Sequence, residues 1–195
     1  MVLQLSLHLI FGIIGGVFSI LAFVPYIAAI IKKGAKPNRA SWIIWNITDT
    51  ILLASYFSVG ARTTIFVPIV YVVNAFIVLL FSFRYGVSSW SRLDIASLAV
   101  SGLSLIIWSL TQNPLIALLM NLLMDSVAYL PTIKKSYIDP SSESGLGWLF
   151  FFIGACFNLL AVDSLAFGTI IYPIVMFVME GILVAILYRK KIFKQ

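Results

Sequence analysis

Three carboxylic acids fall inside long apolar runs of this sequence: Asp49, Asp125 and Glu180. An ionisable side chain in hydrocarbon costs about 2.5–3.5 kcal/mol or more, and it usually faces a cavity or a partner. No lysine or arginine lies well inside these runs to pair with the acids. Each acid must then be protonated, hydrogen-bonded, wetted by a cavity or matched by a cation. Helical spacing shows what accompanies them. Trp42, Trp45, Asn46 and Asp49 fall at i, i+3, i+4 and i+7, on one face of a helix. Asn121, Asp125, Tyr129 and Thr132 make a second stripe, and Tyr71 and Asn74 share a face. Amides and hydroxyls hydrogen-bond polar solutes, and aromatic faces stack on the C–H side of a sugar ring. A carboxylate accepts from hydroxyls as well, but it suits a cationic solute or a proton better. The candidate solute-binding set is Asn74, Glu180, Asn46, Asp49, Trp45, Asp125 and Tyr71.

The elements that must position these residues follow from composition. Of the 195 residues, 62% are hydrophobic and 10% charged, and the mean hydropathy is +1.08. That balance is far from a soluble domain's, and the natural solvent for most of the chain is lipid. Seven apolar runs are expected to be helices: Leu7–Ile31, Ala40–Val59, Thr63–Phe83, Ile95–Leu110, Pro114–Ile133, Leu146–Val162 and Phe167–Tyr188. Most approach the ~20 residues that cross ~30 Å of hydrocarbon. Strands are not expected, because period-two alternation is missing and an open sheet cannot span a bilayer. The first run lacks a basic leader and is too long for a secretory signal. The single cysteine, Cys156, excludes an intramolecular disulfide and reads as packing, and the single histidine, His8, makes metal chemistry an unattractive reading. With no G-x-S-x-G elbow and no phosphate-cradling loop, neither an enzyme nor a cofactor is expected.

The basic residues give an orientation. With seven crossings and the N-terminus outside, the inner segments hold Lys32, Lys33, Lys36 and Arg39, then Arg84 and Arg92, then Lys134 and Lys135, then Arg189, Lys190, Lys191 and Lys194. Arg62 alone falls outside. The net charge of +6 is therefore read as topology, with a cytoplasmic C-terminus, and not as a nucleic-acid patch. The expected location is the plasma membrane.

Two stretches share a plan. "VPYIAAIIKKGAKPNRASW" (24–42) and "LPTIKKSYIDPSSESGLGW" (130–148) each carry a proline, a basic segment and an aromatic restart. An offset of 106 aligns Pro25 with Pro131, Trp42 with Trp148, Ala22 with Ala128 and Leu53 with Leu159. The expected architecture is all-α: parallel repeats of three helices joined by a linker helix, in a 3+1+3 order. The bundles span 1–84 and 113–195, with the loop and linker at 85–112. The register of the third helices stays open. An offset of 106 pairs Asn74 with Glu180, whereas pairing Pro68 with Pro173 needs 105 and sets Asn74 against Met179. Pro25 and Pro131 are read as hinges, because a proline removes a backbone donor and loosens one helical turn. Trp42 and Trp148 are read chiefly as interfacial anchors, and Ser55 and Tyr56 chiefly as packing near an outer gate.

The 3+1+3 plan with a proline late in the first helix of each triplet resembles the SWEET sugar transporters and the wider PQ-loop superfamily. The first triplet, from "LAFVPYIAAIIKKGAKPNRASW" to "PIVYVVNAFIVLLF", resembles a single SemiSWEET subunit. In place of Pro-Gln the chain has Pro25-Tyr26 and Pro131-Thr132. The resemblance implies facilitated diffusion of a sugar or similar small polar solute by alternating access. It also implies an asparagine on the third helix of each triplet facing the sugar. Asn74 in "YVVNAF" matches that position, and "FVMEGI" offers Glu180 in the second copy. The alternative is a proton- or cation-coupled carrier of an amino acid or vitamin, like the PnuC-type proteins that share the fold. A reading from another class is a cargo receptor or assembly factor that moves no solute. The expected partners are a small-molecule solute and the lipid bilayer. One chain suffices for a pathway, and a homo-oligomer is compatible with it.

Overall fold

The computed structural model describes residues 6–32, 34–87, 90–111 and 113–192. Seven α-helices follow one another: α1 (Leu7–Ile31), α2 (Arg39–Ser58), α3 (Phe66–Tyr85), α4 (Arg92–Thr111), α5 (Pro114–Ile138), α6 (Gly145–Leu160) and α7 (Phe167–Ile192). A 3-10 turn, Pro140–Ser142, precedes α6. Each expected run becomes a helix, and the local chemistry moves the ends. Helix α5 runs past the end of its apolar stretch and stops at Asp139, where the following Pro140 disfavours continued helix. Helix α4 starts earlier than its apolar run because Ser91 and Asp94 cap reciprocally: the Ser91 N–H donates to Asp94 Oδ2 and the Asp94 N–H to Ser91 Oγ. Asn38 caps α2 through the Ser41 N–H, and Ser144 caps α6 through the Gly147 N–H.

The main helix pairings are α1 with α6 and α3, α2 with α5 and α3, α6 with α7, and α5 with α7, with α4 laid on α5. Exchanging α1, α2 and α3 for α5, α6 and α7 leaves the main pairings among these six helices unchanged, while α4, among the described residues, packs substantially only on α5 and α2. Burial follows the same relation. The buried residues of α1 are Gly12, Gly15, Gly16, Ser19, Ala22, Phe23, Tyr26 and Ile30. Every one of them has a buried counterpart 106 residues on, from Leu118 through Asn121, Asp125 and Thr132 to Ser136. In α3 and α7 the matching offset is 105: Val67, Pro68, Ala75 and Val78 are buried, and so are Tyr172, Pro173, Glu180 and Leu183. Of the two registers the sequence leaves open, burial matches the offset of 105. Ala75 occupies the place equivalent to Glu180, and Asn74 the place equivalent to Met179. The cause is a chain one residue shorter between Asn158 and Tyr172 than between Leu52 and Val67.

Small residues permit the close contact of α1 with α6. A Cβ on Gly154 would sit 2.8 Å from Ser19 Oγ and 3.0 Å from the Gly15 carbonyl oxygen, the close approach that small residues allow between membrane helices. Large apolar side chains cover the outside instead, among them Ile20, Val73, Phe76, Ile106 and Val178. Polar groups such as Asp49, Asn74, Asn121, Asp125, Asn158 and Glu180 are buried within. Four helical segments are long and apolar enough to cross a membrane: Leu7–Ile31, Phe66–Tyr85, Leu115–Ile138 and Phe167–Arg189. An apolar exterior around buried polar groups, carried on helices of this length, is the pattern of a helical membrane protein.

The two ends of the bundle differ. At one end Arg39 donates to the carbonyls of Ser82 and Phe83, Lys135 to that of Lys36, and Arg189 to that of Tyr137. These basic residues thus gather where α1, α3, α5 and α7 finish. At the other end Arg62 caps the α2 terminus through the carbonyls of Phe57 and Ala61. Lys33 and Lys194, counted with the basic end in the sequence, lie outside the described residues.

Candidate functional site

The Trp42–Asp49 stripe starts one turn into α2, so its face turns toward α5 and α6. Trp42, Trp45 and Asp49 from α2 meet Tyr71, Asn74 and Ala75 from α3, and Asp125 and Tyr129 from α5. Trp148 and Phe151 from α6 and Met176 and Glu180 from α7 complete one cavity. About 40 Å³ of it is open to the centre of a water molecule, room for roughly three waters at ~10–15 Å³ each.

Aromatic rings form much of the wall. The Trp45 ring lies 4.9 Å from that of Trp42, 4.9 Å from that of Tyr129 and 6.0 Å from that of Trp148. Phe151 stands edge-on to Tyr71 at 5.6 Å. These spacings suit favourable tilted and edge-to-face contacts. Trp42 and Trp148 are only 5% and 3% exposed, which corrects their reading as interfacial anchors. Both rings turn inward against Tyr26 and Trp45, and the Trp148 Nε1–H donates to Glu143 Oε2 at 3.0 Å.

The polar groups come from four helices. Tyr71 donates to Glu180 Oε1 at 2.5 Å, while Glu180 Oε2 is buried with no hydrogen-bond partner. The Asn74 amide reaches the Ser19 carbonyl at 3.4 Å. Asp49 and Asp125 interact electrostatically with each other, and each does so with Glu180. Among the described residues, no lysine, arginine or histidine lines the cavity. Each acid has a small neutral residue at its matched place in the other half: Ala155 for Asp49, Ser19 for Asp125 and Ala75 for Glu180.

Polar contacts join the helices at both ends of the bundle. At the basic end Lys135 pairs with Glu143 at 2.5 Å, and the Lys36 N–H donates to the Ser142 carbonyl at 2.9 Å. Ser41 donates to the Ala128 carbonyl at 2.7 Å, and Thr132 donates to Ser41. Asp139 supports this end by accepting from the Ser141 hydroxyl and N–H, which hold its carboxyl below the ordinary range. At the opposite end Tyr56 donates to the Thr169 carbonyl at 2.7 Å and its ring packs on Tyr172. Thr63 donates to the Ala161 carbonyl at 2.9 Å, and His8 contacts the Leu160 carbonyl at 3.3 Å.

Of the candidate set, Trp45, Asp49, Tyr71, Asn74, Asp125 and Glu180 meet at the cavity. Asn46 does not. It is half-buried at the edge of its stripe, and its carbonyl accepts from Thr50. Asn121 is fully buried away from the lining, with both amide atoms unpartnered. Pro25 and Pro131 lie within α1 and α5 and outside the lining, and the Pro25 carbonyl accepts from Ser144 at 3.3 Å. Sequence reasoning missed Phe151, Ala75 and Met176. The repeat carried the signal for Phe151, which stands 106 residues after Trp45, and for Met176, which stands 105 after Tyr71.

No protein-family model matches this chain, and neither a curated protein nor a solved structure matches it.

Proposed function

We propose that the chain is a membrane carrier that moves a small polar solute by alternating access, in the manner the SWEET resemblance implies. In this reading all seven helices cross the bilayer in a 3+1+3 order with the basic end cytoplasmic. Helices α2 and α6 cross packed against apolar neighbours, and α4 lies on the outside of α5 and α2. The observation that carries the reading is convergence. Six residues picked by type and spacing, drawn from α2, α3, α5 and α7, face a single cavity. A packing role alone does not require acids, an amide and aromatic faces to share one space. Pro25 and Pro131 are then the bending points that let the two halves rock around it.

The deciding experiment is uptake of labelled sugars, amino acids and vitamins into proteoliposomes, with and without a pH gradient. Saturable flux is expected, abolished by Asn74→Ala and kept by Lys32→Ala. Solute binding without flux favours the receptor or assembly-factor reading instead. Coupling to protons or cations is the second reading, favoured by three acids in a cavity lined by no basic side chain. A flux indifferent to the gradient removes it.

A further inference from the structure

The geometry points to an organic cation, an ammonium group on a compact apolar body, as the cargo of the central cavity. This rests on reading that cavity as a cargo site, and it goes further by choosing the charge and shape of what enters. The first ground is charge. Asp49, Asp125 and Glu180 reach the cavity from three different helices, and no basic side chain lines it. Arginine and lysine side chains are instead tied up at the bundle ends, as with Lys135 on Glu143 and Arg62 on the α2 carbonyls. A neutral solute leaves any ionised acid there without a counter-charge, whereas a cation supplies one.

The second ground is an unmet polar atom. Glu180 is 1% exposed, one of its carboxyl oxygens holds the Tyr71 hydroxyl, and among the described residues the other meets no donor in hydrogen-bond geometry, though the Tyr129 hydroxyl also acts on the carboxyl. Buried polar atoms are rarely left unpaired, since each costs about 1–3 kcal/mol. An N–H donor in the cavity would satisfy it.

The third ground is shape. No group of three His, Cys, Asp or Glu side chains among the described residues is gathered closely enough to hold a metal ion. The acids are spaced by aromatic faces, with Trp45, Tyr129 and Trp148 at centroid separations of 4.9–6.0 Å. An aromatic face attracts a cation through its quadrupole, most strongly where water is excluded. Acids for the charge and rings for the body together describe a polyatomic ammonium ion better than a bare metal ion or a sugar.

Tryptophan fluorescence of the purified full-length protein in detergent tests this, because Trp42, Trp45 and Trp148 line the cavity. The probes are tert-butylammonium, ethylammonium, tert-butanol as the neutral isostere of the first, and glucose. The expected result is a saturable change with at least one ammonium probe and an affinity at least tenfold weaker for tert-butanol and glucose. Asp49→Asn and Glu180→Gln are expected to weaken ammonium binding at least tenfold, while Lys32→Ala leaves it unchanged. The comparison of tert-butylammonium with tert-butanol uses the unaltered protein, so it holds even if a variant fails to fold. Equal affinity for charged and neutral probes, or no saturable response to either ammonium ion, overturns the inference. Glucose flux without ammonium binding overturns it while leaving the carrier reading intact. Ammonium binding without flux of any solute sinks the carrier and keeps the cation site.

Discussion

Tyr71 on α3 donates its hydroxyl proton to Glu180 on α7 at 2.5 Å, and this bond joins two helices that otherwise meet through the cavity between them. It leaves Glu180 with one satisfied oxygen and one bare one. Tyr71→Phe removes a hydrogen-bond donor from that buried carboxyl. The expected cost is about 1–3 kcal/mol of stability, measured as a lower midpoint in thermal unfolding in detergent. Glu180→Leu in the Tyr71→Phe background is expected to cost less than the two single losses added together, because residues in one hydrogen-bonded pair are coupled. Strict additivity would show that the bond contributes nothing.

The closure at the basic end is expected to open during turnover. The Lys36 N–H and Ser142 carbonyl lie 2.9 Å apart, so cysteines placed at both positions are close enough for a crosslink. In Lys36→Cys/Ser142→Cys, with Cys156→Ala as background, oxidation is expected to stop solute flux and a reductant to restore it. Full flux in the oxidised protein would mean that this end never opens.

Pro25 and Pro131 are each set inside a continuous helix. Proline is up to about 3 kcal/mol less favourable than alanine in a helix interior. Pro25→Ala and Pro131→Ala are thus expected to raise the unfolding midpoint while slowing flux, with solute affinity little changed. A variant that is stiffer but no slower would assign the prolines to tolerated kinks.

Two glycines make a contrasting pair. A Cβ on Gly12 would lie 1.8 Å from the Thr63 carbonyl oxygen, so backbone must shift to admit it. Gly12→Ala is expected to cost about 1–3 kcal/mol by overpacking. A Cβ on Gly102 in α4 meets nothing within 4 Å, and alanine there is expected to stabilise by up to about 1 kcal/mol through helix propensity. Thermal unfolding of both variants side by side checks the sign of each.

The sequence made the helices legible because lipid demands long apolar runs, and the buried acids stood out against them. The cavity was legible on α2 and α5 because Trp45, Asp49 and Asp125 keep helical spacing within one segment. It was less so on α3 and α7, where the partner of Tyr71 depends on a connection one residue shorter in the second half. An apolar alphabet repeats too often to reveal such a slip, and only the burial of Ala75 beside that of Glu180 exposes it. Trp42 and Trp148 misled for a related reason. A tryptophan at a helix start suits a lipid headgroup or a packed interior equally well, and only the neighbouring rings of Tyr26 and Trp45 decide between them.

Lys36 and Ser142 hold matched places in the two halves, yet their exchange runs one way. The Lys36 amide gives to Ser142, whose own amide turns back to Asp139, while the Lys36 carbonyl takes the Lys135 ammonium. Two identical subunits meeting about a dyad would make both arms of such an exchange or neither. The seam thus has a giver and a taker, and its ion pair, Lys135 with Glu143, has no mirrored copy: the places matched to them are Ala29 and Pro37.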